Sequence, residues 1–229
     1  MKKLGLVILF SLGFVNLFSQ QSDCACPVDD AYGMWLQAGL MGLEYRNPVE
    51  GYKGKHYYSI WALGEIALAD GDLIKGMYLQ YDQYMDELLW LRKTDRRTGI
   101  LPKDIISGFR LYNSRDEIMA TFEKRKVNLP FIGLKDAYLQ VLAPGDPAFY
   151  AWRNSYIMAS DNRLVENSRY LIISGGKDYP VRLSRKSLLN LPLINKTEMK
   201  AILRSDRIRP NNNEEEFARA VSRYNQSRK

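Results

Sequence analysis

The richest chemistry per unit length lies in Tyr81-Asp82-Gln83-Tyr84-Met85-Asp86-Glu87. Two carboxylates flanking a sugar can act as nucleophile and acid, and retaining glycosidases hold theirs about 5 Å apart. In an extended strand Asp82, Tyr84 and Asp86 share one face and Tyr81, Gln83, Met85 and Glu87 the other, so the two aspartates can approach that separation. This makes Asp82 and Asp86 the candidate catalytic pair of a carboxylate-dependent glycan hydrolase, with calcium binding by the same acids as a variant. The plainer reading is structural: acids beside tyrosines at a strand entrance accept hydrogen bonds from local backbone in turns.

Other chemistry is sparse. His56 is the single histidine, which leaves a zinc site short of ligands and a Ser-His-Asp arrangement without a Gly-x-Ser-x-Gly elbow. Gly175-Gly176-Lys177 lacks the rest of a phosphate loop. No cofactor and no metal are expected. Lys124-Arg125-Lys126 is a candidate anion-binding triplet, although three adjacent cations usually occupy a solvated loop. Arg219 and Arg223 are the further basic candidates, in a C-terminal helix whose dipole they also complement. Cys24 and Cys26 are the only cysteines. One residue apart, they could close only a small strained ring, which leaves intermolecular pairing, a redox role, soft-metal capture, or a tethered segment without chemistry. Fifteen tyrosines and four tryptophans suit both a sheet core and a contact surface.

The elements that must position these residues follow from periodicity. Short β-prone runs at 60–69, 73–80 and 84–92 alternate with turn signals such as Asp70-Gly71-Asp72, where Gly accepts positive φ and Asp bonds nearby backbone. These read as successive antiparallel hairpins. Leu88, Trp90 and Arg92 face one side and Leu89, Leu91 and Lys93 the other, so this strand expects burial on both faces. Further strands are expected around Phe109 and Leu111, at 136–142, 149–153 and 156–159, with a hairpin at 170–183 around Gly175-Gly176. No fixed-period repeat is present, which disfavours a propeller or solenoid. From Ser184 the apolar period changes from two to about 3.6. Asn195 with Glu198, and Asn213 with Glu216, are polar caps with an acid three residues on. The expected fold class is α+β: an antiparallel β-rich domain, as a curled sheet or a sandwich, followed by a short C-terminal helical element.

Composition and charge set the location. The 229 residues, 46% hydrophobic and 26% charged, have globular proportions. A basic Met1-Lys2-Lys3 precedes an apolar run to Phe18, too short for the roughly 20 residues of a span. It reads as a signal peptide ending at Ser19. Neither cysteine follows a good lipobox. The expected organisation is a signal peptide over 1–19, a loosely structured arm over 20–55 with a short helix near 32–43, a β domain over 56–183 and a basic helical segment over 184–229. The net charge of +7 resides in residues 181–229, which hold twelve Lys or Arg against five Asp or Glu. Export and the absence of a nucleic-acid motif turn that charge toward an acidic protein, an anionic lipid surface or a solvated face rather than nucleic acid.

The strand 64–68, Asp70-Gly71, Gly76, the Tyr81-Asp82-x-Tyr84-x-Asp86-Glu87-Leu88 box, the helical part at 188–204 and the ending near Tyr224-Asn225 resemble an uncharacterised family of exported proteins from Bacteroidota. The leader ending in Phe18-Ser19-Gln20-Gln21 looks like signal peptides of those bacteria. The resemblance covers residues 60–225 and implies a periplasmic, outer-membrane-associated or secreted location, with no site residues to carry over. The resulting expectation is an exported binding or accessory protein without enzymatic activity that contacts an envelope protein or a surface polymer. The glycan hydrolase and peripheral binding to an anionic membrane surface through 181–229 are its alternatives.

Overall fold

The computed structural model describes residues 43–92, 96–129 and 132–228. The leader, Cys24, Cys26 and most of the expected 32–43 helix lie outside them. Its strands are β1 (Leu43–Glu44), β2 (Ala62–Leu68), β3 (Leu73–Asp82), β4 (Glu87–Leu91), β5 (Thr98–Ile100), β6 (Ile106–Tyr112), β7 (Ile118–Leu129), β8 (Gly133–Ala143), β9 (Ala148–Met158), β10 (Arg163–Ser174) and β11 (Lys177–Val181). They form one sheet in the order β1-β5-β4-β3-β2-β6-β7-β8-β9-β10-β11, and neighbouring strands run antiparallel. The chain meanders outward from β2 to β5, returns through a 3-10 turn at Lys103–Ile105 and meanders the other way from β6. A single curled sheet is thus realised, not a sandwich.

Turn chemistry acts where the sequence placed it. Gly71 has φ +100, and the Asp72 N–H donates to Asp70 Oδ1 at 3.1 Å. Gly175 and Gly176 have φ of +54 and +72, as a tight hairpin between right-twisted strands requires. Three helices follow the sheet: α1 (Arg185–Leu189), α2 (Lys196–Ser205) and α3 (Glu214–Ser227). Asn195 caps α2 by accepting from Thr197 and Glu198 N–H, Asn213 caps α3 by accepting from Glu216 N–H, and Ser184 caps the short α1.

Burial on both faces is real. Leu88 and Leu89 are each 0% exposed. In the β9–β10 ladder Phe149 opposes Ile172 and Tyr150 opposes Leu171. Phe149 and Ile172 pack with the helices in a cluster containing Met199, Phe217, Val221 and Tyr224, whereas Tyr150 and Leu171 pack with Val127, Leu139 and Trp152. A third cluster, centred on Ile66, Leu79, Tyr81, Phe109, Phe122 and Tyr138, fills the curl of β2, β3, β6, β7 and β8.

Several expectations need correction. Strands 149–153 and 156–159 are one strand, β9. The strand β7 was hidden because Glu123-Lys124-Arg125-Lys126 interrupts its apolar alternation, yet Ala120, Phe122, Val127 and Leu129 are buried along it. The segment expected at 84–92 begins only at Glu87, because Gln83 to Asp86 form a turn in which Asp86 has φ +59. The described part of the arm is bonded to the sheet: β1 pairs with β5, and the Leu164 N–H donates to the Lys53 carbonyl at 2.7 Å.

Candidate functional site

The Asp82–Asp86 box does not form one strand face. Asp82 ends β3 and Asp86 closes the following turn, so turn geometry and not the two-residue pleat sets their relation. Asp82, 0% exposed, accepts at Oδ1 from Tyr84 N–H (2.9 Å) and Met85 N–H (3.1 Å). Its Oδ2 accepts from the Tyr45 hydroxyl at 2.8 Å. Burial, with Tyr57 and Asp82 adding to it, pushes the Tyr45 hydroxyl far above its usual range. Asp86 accepts at Oδ1 from the Tyr81 hydroxyl (2.7 Å) and the Tyr138 N–H (3.2 Å). Its Oδ2 lies 2.9 Å from Nζ of both Lys103 and Lys135. Burial raises Glu87 above the ordinary carboxylate range, against the pull of Lys103. Each aspartate is occupied by its own turn, lysines or tyrosines, and a buried charge requires such partners.

The box clasps the curl shut. The Tyr81 hydroxyl lies 3.2 Å from the Arg153 carbonyl of β9, and the Ser155 N–H donates to the Gln83 carbonyl at 3.2 Å. Residues 53–58 run alongside as a strap. The Leu164 N–H bonds Lys53, the Gln83 N–H donates to the His56 carbonyl at 2.7 Å, and the Tyr58 N–H donates to the Tyr81 carbonyl at 2.9 Å. Gly54, at φ +120, permits this approach, because a Cβ there would run into the Leu164 carbonyl oxygen. His56 is a buried strap residue whose ring lies tilted at 43° against Tyr57, with 3.8 Å between ring centroids. Burial lowers its pKa, and Asp82 only partly opposes this.

The basic triplet lies on β7, not on a loop, and its members part to alternate faces. Lys124 Nζ donates to the carbonyls of Lys103 (2.6 Å) and Asp104 (2.8 Å), pinning the 3-10 turn. Arg125 pairs with Glu123 at 2.7 Å over the Tyr150 ring, and the Tyr150 hydroxyl, bonded to Glu123, is pushed up to about 12 by burial first and Glu123 second. Lys126 is exposed. Arg219 pairs with Glu216 at 2.9 Å and Arg223 with Asp206 at 3.0 Å, joining α3 to itself and to the end of α2. Among the described residues no group of three or more His, Cys, Asp or Glu is placed to hold a metal ion.

A polar network that the sequence reading missed lies between the cluster that fills the curl and the cluster packed on the helices. Arg153 donates from Nε to Gln140 Oε1 (2.7 Å), from one terminal nitrogen to Ser168 Oγ (3.0 Å) and from the other to Glu214 Oε1 (2.6 Å). Gln140 in turn donates to the Tyr58 hydroxyl at 2.9 Å, and Glu214 also bonds the Tyr170 hydroxyl, whose pKa burial and Glu214 raise. The signal was an arginine within Ala148-Phe149-Tyr150-Ala151-Trp152-Arg153, where a mostly buried strand needs a partner for any charge. Glu214 supplies it from the first turn of α3.

Beside this network the surface opens. A groove of about 490 Å³ is lined by Ser168, Arg169, Tyr170, Arg182, Leu183 and Asn212, among others. A hollow of about 380 Å³, lined by Asn154, Tyr156, Glu166, Asn167 and Arg169, lies along the same strand. Arg182 is exposed, and Arg169 lies over the Trp152 ring. Compared with family models, with characterised proteins and with solved structures, the chain matches none.

Proposed function

We propose that the protein is an exported, envelope-associated binding or accessory protein without enzymatic activity, which engages another envelope protein or a surface polymer beside β10. The observation that carries this reading is the groove at Ser168, Tyr170, Arg182 and Asn212. It combines an arginine, an aromatic ring and amide and hydroxyl groups, and the Arg153–Glu214 pair, 2.6 Å apart, holds its floor to α3. A rigid polar floor with cations at the rim suits recognition of an anionic partner. The leader and the likeness to exported Bacteroidota proteins support the location. The glycan hydrolase reading draws less support, because Asp82 and Asp86 are both occupied by structural partners. Peripheral attachment to an anionic membrane is favoured by exposed cations along the helical element, including Arg185, Lys196, Lys200 and Arg204. It calls for salt-sensitive vesicle binding.

The deciding experiment places a photo-cross-linking amino acid at Pro180, an exposed residue lining the groove, and, as a control, at the exposed Lys75 of β3, in intact cells. A reproducible adduct from Pro180, absent from Lys75 and lost when Arg182→Glu is added, is the expected outcome. No adduct at Pro180 would remove the binding reading.

A further inference from the structure

Strand β10 is longer than its neighbours on one side. Tyr170 to Ser174 pair with β11, and Leu164 bonds the strap. Among the described residues the stretch between them has β9 on one side only. Ladder geometry fixes which groups are left over. The Leu164 N–H points away from β9, since it reaches Lys53, and main-chain groups on an antiparallel strand alternate in direction. Glu166 and Ser168 therefore also direct N–H and C=O away from β9. The opposite residue of the ladder agrees: Ser155 faces Glu166 and sends its own N–H away from β10, to Gln83. Among the described residues no main-chain group pairs with Glu166 or Ser168 on that side. The interval from Leu164 to Tyr170 is about 20 Å at strand rise, enough for about five residues of added strand.

We propose that this open interval of β10 binds an extended acidic segment of a partner protein by strand addition. The inference rests on the binding reading above and names its partner class. Only a polypeptide backbone repeats donor and acceptor at the spacing that Glu166 and Ser168 present. Side chains of an added strand project alternately to the two faces, and each side offers a concavity. One is the groove at Arg182 and Tyr170. The other is the hollow at Asn154, Tyr156 and Asn167. In the hollow the buried Asn154 Oδ1 has no hydrogen-bond partner and calls for a donor, and Tyr156, 43% exposed, offers a ring face. In the groove Arg182 calls for a carboxylate. An edge left open through neglect would be a long one, whereas natural sheets protect long edges with proline and charge. Here Pro180 and Lys177 sit on the terminal strand β11, whereas the interval from Leu164 to Tyr170 carries no proline and is short and flanked by chain at both ends.

The probe is a pool of fluorescein-labelled synthetic hexapeptides alternating Glu with varied residues, titrated against the full mature chain by fluorescence anisotropy. Two sets of the tightest peptide are N-methylated, one on the odd amides and one on the even. Strand addition predicts that one set weakens about tenfold or more, from loss of two or three main-chain hydrogen bonds, while the other set binds as before. It also predicts slowed amide exchange at Glu166 and Ser168, and loss of binding in Glu166→Pro with a melting temperature close to the parent's, as proline is tolerated at a strand edge. Absence of saturable binding, an adduct only within one chain or between two copies in the Pro180 cross-link, or equal binding by both methylated sets would overturn the proposal. Equal binding by both sets together with loss in Arg182→Glu would leave the groove reading standing and remove strand addition alone. Failure of the cellular cross-link at Pro180 would remove the binding reading itself.

Discussion

At the scale of single residues, Asp82 and Asp86 look equivalent in sequence and are not equivalent in the fold. Asp82 acts through acceptor oxygens, two of its bonds coming from turn N–H groups, and an asparagine retains an acceptor. Asp86 acts through charge, with Lys103 and Lys135 both at 2.9 Å. Asp82→Asn is expected to cost about 1 kcal/mol of unfolding free energy. Asp86→Asn should cost about 3 kcal/mol, the lower end for a broken buried pair because both lysines keep some solvent contact. Urea denaturation midpoints at equal slope measure both. Near-equal small losses would return Asp86 to the candidates for chemistry.

At the scale of elements, the strap over 53–58 and the caps of the helices contrast. Asn195 and Asn213 cap their helices as the sequence pattern indicates, because capping is a contact between residues two or three apart. The strap is joined to β3 and β10, over a hundred residues apart in part, and nothing in Lys53-Gly54-Lys55-His56 announces it. Its buried histidine is expected to make it acid-sensitive. The folded pKa of His56 lies below its ordinary 6.5. Between those two values the unfolded chain binds more protons, so stability rises with pH there and is lost as pH falls from about 6.5 toward the folded value. Unfolding free energies measured across that window should slope downward on acidification in the parent, and less steeply in His56→Gln. An identical slope in both would place the acid sensitivity elsewhere.

At the scale of the whole molecule, the helices complete the sheet. Phe149 and Ile172 from β9 and β10 share one cluster with Met199, Leu203, Phe217, Val221 and Tyr224, and the Phe149 ring packs tilted against Phe217 with centroids 4.7 Å apart. Arg153 and Glu214 add a mostly buried ion pair across the same junction. A chain ending after Arg182 leaves that apolar face in water, at a cost of about 25 cal/mol per Å² exposed. It is expected to lose cooperative thermal unfolding and to bind the dye ANS. A truncated chain melting cooperatively near the parent temperature would show that the boundary near residue 184 separates two independent units.

The sequence by itself determined the local part of this protein: the antiparallel hairpins at Asp70-Gly71 and Gly175-Gly176, the switch to helix after Ser184, the two asparagine caps and a strand buried on both faces. These depend on φ preferences, side-chain capping and periodicity, all of which act within a few residues. Only the tertiary structure decided that β6 returns beside β2, that 118–129 is a strand despite its basic run, and that Tyr81, Asp82 and Asp86 clasp the curl. It also decided that Arg153 meets Glu214 across 61 residues and that, among the described residues, part of β10 pairs on one side only. Each of these depends on which distant groups share a low-dielectric interior, where a charge must find its partner and a main-chain group its bond. Such pairing is a property of closure, and one stretch of sequence cannot encode it.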